Sequence, residues 1–427
     1  MSSRRNAIYI LLIAALLLGL LSGRALLFNV AYVLGGLLLL SLLWAWTSVS
    51  WVRIHRTTRA RRAQVGKVFE ESFAVQNYGF LPKLWLEVLD HSTLPGYQAS
   101  QVVPGMLPRR VFKWQAKTVC LLRGQYQLGP ISLTSGDPFG MFRFPRNIGA
   151  TSRIIVYPAT LPIHDFAVPS GLLSGGDAQR QRAHFVTTNA AGVRDYAPGD
   201  SFNRIHWRST ARKSRLLVKE FELDPLADVW VFLDLSARSL VERPEARTFA
   251  SSPEAAAVQA GQILLPPSSE EYGVAIAASI CKFFLDRGRN LGFVTYGPNR
   301  EVIQADRSQR QLNQILERLA LVRSSGDFDL EHMLSMDTQY LGRGTTLVVI
   351  TADQSEAWVR QAHILYRRGV RIIAVLIDPS SFGGEATPTA SLTRLAIFGV
   401  PTYIIREGDN LTNVLSQRLT NGVRMAL

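Results

Sequence analysis

At 427 residues the chain is longer than one hydrophobic core usually organises, so two or three domains are expected. Two cysteines, Cys120 and Cys281, exclude a disulfide-built scaffold and a Cys/His metal cluster, and they suit a reducing compartment. A net charge of +14 would suit nucleic acid, but eight of the basic residues flank two apolar runs near the start, where topology and anionic lipid account for them; nucleic acid is not expected as a partner.

Residues 7–22 and 25–46 are nearly uncharged and separated only by Gly23-Arg24. The second run is long enough to cross a bilayer and the first is at the short limit. No small-x-small cleavage site marks a removed leader, so residues 1–52 read as a transmembrane helical hairpin, with Arg24 snorkelling at its tip. Arg4 and Arg5 precede the first span, and Arg53, Arg56, Arg59, Arg61, Arg62 and Lys67 follow the second. By the positive-inside rule both flanks face the cytoplasm, and Trp44, Trp46 and Trp51 fit an aromatic belt on that side. The expectation is a two-span cell-membrane protein with both termini cytoplasmic and a basic juxtamembrane segment at 53–64.

From 65 to 160, short β-type runs such as FEESFAVQN, LWLEVLD, RVFKWQA and ISLTSGD alternate with Gly, Pro and Asn turns, the rhythm of a small β-sandwich. Tyr126 after Gly124 suggests a tyrosine corner, and Asp137-Pro138-Phe139-Gly140 a turn that packs its Phe inward.

Residues 161–226 read as a polar linker, Ser170 to Thr188, followed by GVRDYAPGDSFNRIHWRSTARKSRLLVKEFE, residues 192–222. This stretch packs Asp195, Asp200 and Glu220 beside Arg194, Arg204, Arg208, Arg212, Lys213, Arg215 and Lys219, with Tyr196, His206 and Trp207 interleaved. Pro198-Gly199 is a turn signal, Asp200 or Ser201 can cap a following short helix with Arg204 and Arg208 on one face, and LLVKEFE reads as a strand. Three uses of the cluster are open. His206 with Asp195 or Asp200 could form a base and its orienter, with the arginines on an anion. The basic residues with Trp207 could hold phosphate or nucleic acid. Alternatively, the arginines pair with Asp195, Asp200 and neighbouring carboxylates and fix an interdomain or partner interface, with Ile205, Trp207 and Tyr196 as core anchors.

Arg194, Tyr196, Gly199, Asp200, Arg204, Ile205, Trp207, Ala211 and Arg212 occur in the order of the signature of the domain of unknown function family 58, which the chain resembles; residues 123–142 also resemble a segment of that family. The resemblance implies a partner, a MoxR-type AAA+ ATPase, for which such proteins act as adaptors.

Residues 227–427 change rhythm. VWVFLDL, LGFVTYG, TTLVVIT, RIIAVLI and VPTYIIR are buried-type strands, with helix candidates near 270–287, 308–322, 354–368, 390–398 and 410–424. This alternation predicts an α/β doubly wound parallel sheet, with 242–270 inserted as a mobile flap or loosely packed loop. Asp234-Leu235-Ser236 at the end of the first strand resembles the opening of a von Willebrand factor A domain, whose Asp-x-Ser-x-Ser, distant Thr and further Asp hold a hard divalent cation. Here Asp234 and Ser236 match and Asp353 stands one residue from the place of the last Asp, whereas Arg238 and Phe328 stand where a Ser and a Thr belong. Mg²⁺ on the matching oxygens, or an ion pair of Arg238 with Asp234 or Asp353 in its place, are the two alternatives. The functional expectation is a membrane-anchored, non-enzymatic adaptor or scaffold for a MoxR-type ATPase, with a metal- or phosphate-dependent hydrolase built on the signature cluster as the alternative.

Overall fold

The computed structural model describes residues 2–149, 151–166, 190–196, 205–221, 228–251, 258, 263–324 and 328–417. The two apolar runs are helices α1 (Ser2–Ser22) and α2 (Ala25–Val49), turning back at Gly23, which holds a φ of 65° open to glycine. Both are long and apolar enough to cross a bilayer. Their outer surface exposes leucines and valines, but one face of the last turns of α2 is covered, for Ser41, Ala45, Ser48 and Val49 are buried against β-structure.

That β-structure begins earlier than expected. Residues 53–64, read from sequence as a basic juxtamembrane stretch, form β1 (Val52–Thr58) and β2 (Arg62–Gln64). The reason is that Arg56 is not a surface charge: its guanidinium grips Glu71 in a fork, Nε to Oε1 at 2.9 Å and Nη2 to Oε2 at 2.6 Å. Tyr97 and Asp90 complete the cluster, and the Arg56 and Glu71 side chains are 5% and 0% exposed. A fully paired charge can occupy an inward strand position, and charge counting along a sequence does not reveal it.

Strands β3 (Val68–Asn77), β4 (Lys83–Asp90), β5 (Gln101–Met106), β6 (Val111–Val119), β7 (Gly124–Leu128), β8 (Ile131–Gly136), β9 (Arg143–Ile148) and β10 (Ser152–Tyr157) complete this part. The antiparallel sheets β1-β3-β6 and β5-β4-β8-β9 face each other across Phe73, Val75, Leu86, Val88, Ile131 and Leu133, a sandwich. β3 buries every second residue, as a half-covered strand should. A third small sheet, β2-β10-β7, closes the end away from the helices, and Tyr126 there donates its hydroxyl to the carbonyls of Leu122 and Arg123, the expected corner.

The signature segment contributes β11 (Ala190–Asp195), α3 (Trp207–Lys213) and β12 (Leu217–Phe221), with β11 and β12 paired antiparallel as a separate two-stranded sheet.

After these come β13 (Val229–Asp234), α4 (Pro244–Thr248), α5 (Ser269–Asp286), β14 (Leu291–Tyr296), β15 (Arg300–Asp306), α6 (Gln309–Leu321), α7 (Leu330–Met336), β16 (Thr346–Thr351), α8 (Glu356–Arg367), β17 (Arg371–Ile377), α9 (Thr389–Ile397), β18 (Thr402–Ile405) and α10 (Leu411–Leu415). Their strands form one six-stranded mixed sheet in the order β15-β14-β13-β16-β17-β18, parallel except at β15. β13, β14 and β16 are buried along their whole length because both faces are covered. One core gathers residues of α5, α6 and α10, the other residues of α7, α8 and α9. β15 was not expected: it is a charged, half-exposed edge strand whose pattern carries little apolar signal. The 242–270 insertion is not loose where it is described, since Phe249 and Val258 are buried against Leu121 of the sandwich.

Two devices join sandwich and mixed sheet. Residues 161–166, expected to open the linker, instead lay Leu161, Ile163 and Phe166 into the core of the mixed-sheet unit. Phe166 stacks on Tyr403 with ring centroids 5.0 Å apart and meets Phe283 and Phe284 edge-on. The second device is ionic. Arg123, 1% exposed, leaves the sandwich to bond Glu270 and the Val322 carbonyl, with Glu271 at 3.0 Å. Arg323 closes the square onto Glu271 at 2.9 Å and the Arg123 carbonyl at 3.2 Å.

Candidate functional site

The sheet reverses its winding at β13: the chain goes to β14 and β15 on one side, then crosses to β16 on the other. Loops leaving the carboxyl ends of β13 and β16 therefore part, and an open sheet is hollow there. A crevice of about 550 Å³ lies at this place, lined among others by Ser236, Arg238, Ser239, Asp329, Asp353 and Ser355.

Asp234 ends β13 and lies, 4% exposed, beneath the Ser236 and Ser239 that line the crevice. Its Oδ1 accepts the Ser236 amide at 2.9 Å; Oδ2 accepts the Thr351 hydroxyl at 2.6 Å and the Ser239 hydroxyl at 3.3 Å. Burial, with the Asp353 charge adding to it and the hydrogen bonds opposing it, leaves this carboxyl pushed up to about 6. Asp353 folds back on Ser355, accepting its amide at 2.7 Å and its hydroxyl at 2.9 Å. Ser236 Oγ is buried without a partner.

Sequence reasoning missed Ser239 and Thr351. Ser239 supplies the second hydroxyl, one residue beyond the position Arg238 fills, because the Ser236–Ser239 turn brings it back. Thr351 supplies the threonine hydroxyl in place of Phe328, whose ring instead lies against Tyr296 and His332. Arg238 reaches out to Asp329 at 3.4 Å across the crevice mouth, a partner not among those anticipated.

The donor set does not fit a hard cation. Such an ion needs about six free oxygens, yet both oxygens of Asp234 and both of Asp353 are already engaged by protein donors, and a guanidinium stands at the mouth. Among the described residues there is no group of three or more His, Cys, Asp or Glu able to hold a metal.

A carboxyl raised in the folded state stabilises fully below its unfolded value of about 3.9, and that contribution is lost as pH rises through about 6. At neutral pH the buried charge thus costs on the order of 2–3 kcal/mol relative to a neutral isostere. Asp234→Asn is expected to melt higher than wild type at ~pH 7.5, with most of that gap closed by ~pH 4.5. Lower melting at both would mean that the hydroxyls around Asp234 require the carboxylate.

The signature residues lie elsewhere. The Arg194 backbone in β11 pairs with Val218, its side chain lies outside what the structure describes, and Gly199, Asp200 and Arg204 lie outside the described residues. The described helix α3 is capped not by Asp200 or Ser201 but by His206, whose Nδ1 accepts the Ser209 amide at 3.1 Å, a role that ties up the nitrogen a base would use. Ile205 is buried as expected, facing Val218. Trp207, expected as a core anchor, is 65% exposed because it opens α3 on its outer side. Arg212 is exposed in the last turn of α3, and Tyr196 is half-buried, its amide donating to the Leu216 carbonyl. Asp195 pairs with Arg215 at 3.1 Å in the open.

Residues 192–260 match the family model described as "Protein of unknown function DUF58". The chain carries a DUF58 segment. The DUF58 match runs from β11 through β13 into the insertion, so one family segment holds both the signature and the Asp234–Ser239 floor of the crevice. The uncharacterized protein YeaD of Bacillus subtilis (strain 168) is 21% identical over 224 residues, which are 50% of this chain and 48% of YeaD; the match spans about half the length of that relative. Among solved structures, proximal thread matrix protein 1 from the mussel byssus is 14% identical over 44% of this chain and 46% of its own, with a TM-score of 0.29. The CARDB domain of a Pyrococcus furiosus protein is 16% identical over 25% of this chain and 91% of its own, with a TM-score of 0.20.

Proposed function

We propose that this DUF58-containing protein is a membrane-anchored, cytoplasm-facing adaptor that engages a MoxR-type AAA+ ATPase through a degenerate von Willebrand factor A-like domain. The observation that carries the reading is the crevice at the switch point of the mixed sheet, the place where open α/β sheets receive ligands. Its floor of hydroxyls and hydrogen-bonded carboxylates, and a rim with Asp329, Glu331 and Glu385 beside Arg238, offer an acidic seat for a basic side chain of a partner. The apolar helices support anchoring, and the basic residues on both flanks support the cytoplasmic side.

Affinity purification of the full chain from native membranes tests this. A MoxR-type ATPase is expected to co-purify with wild type and to fall about tenfold or more with Glu331→Lys combined with Glu385→Lys. Wild-type eluates without such an ATPase, or equal recovery with the charge-reversed rim, would sink the proposal.

A further inference from the structure

α2 does not simply deliver the sandwich to the end of a span. Ser41, Ala45, Ser48 and Val49 are buried against it, where α2 packs on β8 and β9, the strands joined by the turn that holds Asp137. Asp137 is buried and accepts the amides of Phe139 at 3.0 Å and Phe142 at 2.6 Å. Lys83, 1% exposed, donates to the Thr47 carbonyl at 2.5 Å, a cation placed on the negative end of the helix. The Arg146 guanidinium reaches the Val49 and Val52 carbonyls at 3.4 Å.

The hairpin shows where a bilayer boundary would fall. Gly19 of α1 lies against Phe28 of α2, so in an antiparallel pair Arg5 reaches the level of Leu42. From the turn at Arg24 to Leu42 the helix rises about 27 Å, close to the ~30 Å thickness of a hydrocarbon core. Arg5 then marks the headgroup level, and the Asp137–Phe142 turn, which joins the two strands packed on α2, lies beside it.

At this end the sandwich exposes apolar side chains that soluble turns seldom carry together: Phe139 at 55%, Phe80 at 80% and Leu107 at 62%. The loops of Phe80 and Leu107 are built as one unit, since buried Asn77 donates to the carbonyls of Leu81 and Leu107. The Tyr78 amide bonds the Trp51 carbonyl, which fixes this unit beside the end of α2. Arg109 lies 5.8 Å over the Phe80 ring and Arg143 lies 5.2 Å over Trp85, so cations rim the apolar tips. Aromatic and leucine tips with an arginine rim are the chemistry of an interfacial membrane surface carrying anionic headgroups.

We propose that the α2-facing end of the sandwich is a membrane-seating surface, in which Phe139, Phe80 and Leu107 enter the boundary between headgroups and acyl chains while Arg109, Arg143 and Arg146 hold anionic lipid headgroups. This rests on the reading of α1 and α2 as membrane spans, and the test separates the two. Cys120 and Cys281 are both buried, so a nitroxide can be placed selectively on an added surface cysteine. The full chain is reconstituted into phosphatidylcholine vesicles with or without phosphatidylglycerol, carrying the label at Phe139→Cys, Phe80→Cys, Val33→Cys on the exposed face of α2, or Arg360→Cys on α8. The labels at Val33 and Phe139 are expected to be reached by oxygen in preference to a water-soluble nickel complex, and the label at Arg360 the reverse; phosphatidylglycerol is expected to deepen the label at Phe80. An aqueous Val33 label overturns the membrane-span reading itself. A Val33 label in lipid with a Phe139 label as aqueous as that at Arg360 overturns the seating surface alone. A Phe80 depth indifferent to phosphatidylglycerol overturns the headgroup assignment of the arginine rim.

Discussion

Arg123→Met is expected to cost about 3 kcal/mol and to separate the melting of the sandwich from that of the mixed sheet. Removing one member of a buried ion pair strands its partners, at about 3–5 kcal/mol, and here Glu270 and Glu271 would be left behind with the Val322 carbonyl. The lower end applies because Arg323 still touches both carboxylates. Burial raises the Glu270 carboxyl, but Arg123, the Ser324 hydrogen bonds and Arg323 together hold it below its usual range. A lowered carboxyl stabilises above its unfolded value of about 4.3 and loses that contribution as pH falls through its folded value. The deficit of Arg123→Met should therefore be full at neutral pH and shrink in acid. Adding Glu270→Gln and Glu271→Gln should recover part of it by removing the stranded charge. Calorimetry of the detergent-solubilised chain reads all three variants, and a single transition at the wild-type temperature for Arg123→Met would show that the square of charges joins nothing.

Phe166→Ala is expected to cost more, about 3–5 kcal/mol, because a fully buried aromatic leaves a cavity that its neighbours cannot fill. Phe166 is 1% exposed and touches three rings from two elements of the mixed-sheet core. Phe166→Leu keeps much of the volume and should cost less than half as much. Urea unfolding followed by tryptophan fluorescence measures the difference, and an alanine variant as stable as the leucine variant would mean that the 161–166 segment is only laid on the core.

What could be read from sequence follows the strength of the periodic signal. β13, β14, β16, β17 and β18 are unbroken apolar runs because both faces of their sheet are covered, and the helices between them carry one apolar face each; both patterns survive in a bare sequence. β1 was hidden because its inward Arg56 is neutral to its surroundings only through Glu71, fifteen residues away. β15 was hidden because an exposed edge needs no apolar face. In the crevice, Asp234 and Ser236 were visible as a strand-end motif, whereas Ser239 and Thr351 reach Asp234 through a turn and a neighbouring strand that spacing alone does not specify. Phe139 was assigned inward on turn chemistry, and the turn is real, but Asp137 rather than Phe139 is the residue it buries.

Among the described residues, the buried contacts of α2, the Arg123 square and the Phe166 strap link the hairpin to the sandwich and the sandwich to the mixed-sheet unit that bears the crevice. A helix pair adjusts its tilt when bilayer thickness changes. Carried through these contacts, a tilt of the hairpin would turn the mixed-sheet unit that bears the crevice, so bilayer thickness would bear on the angle at which the crevice is presented.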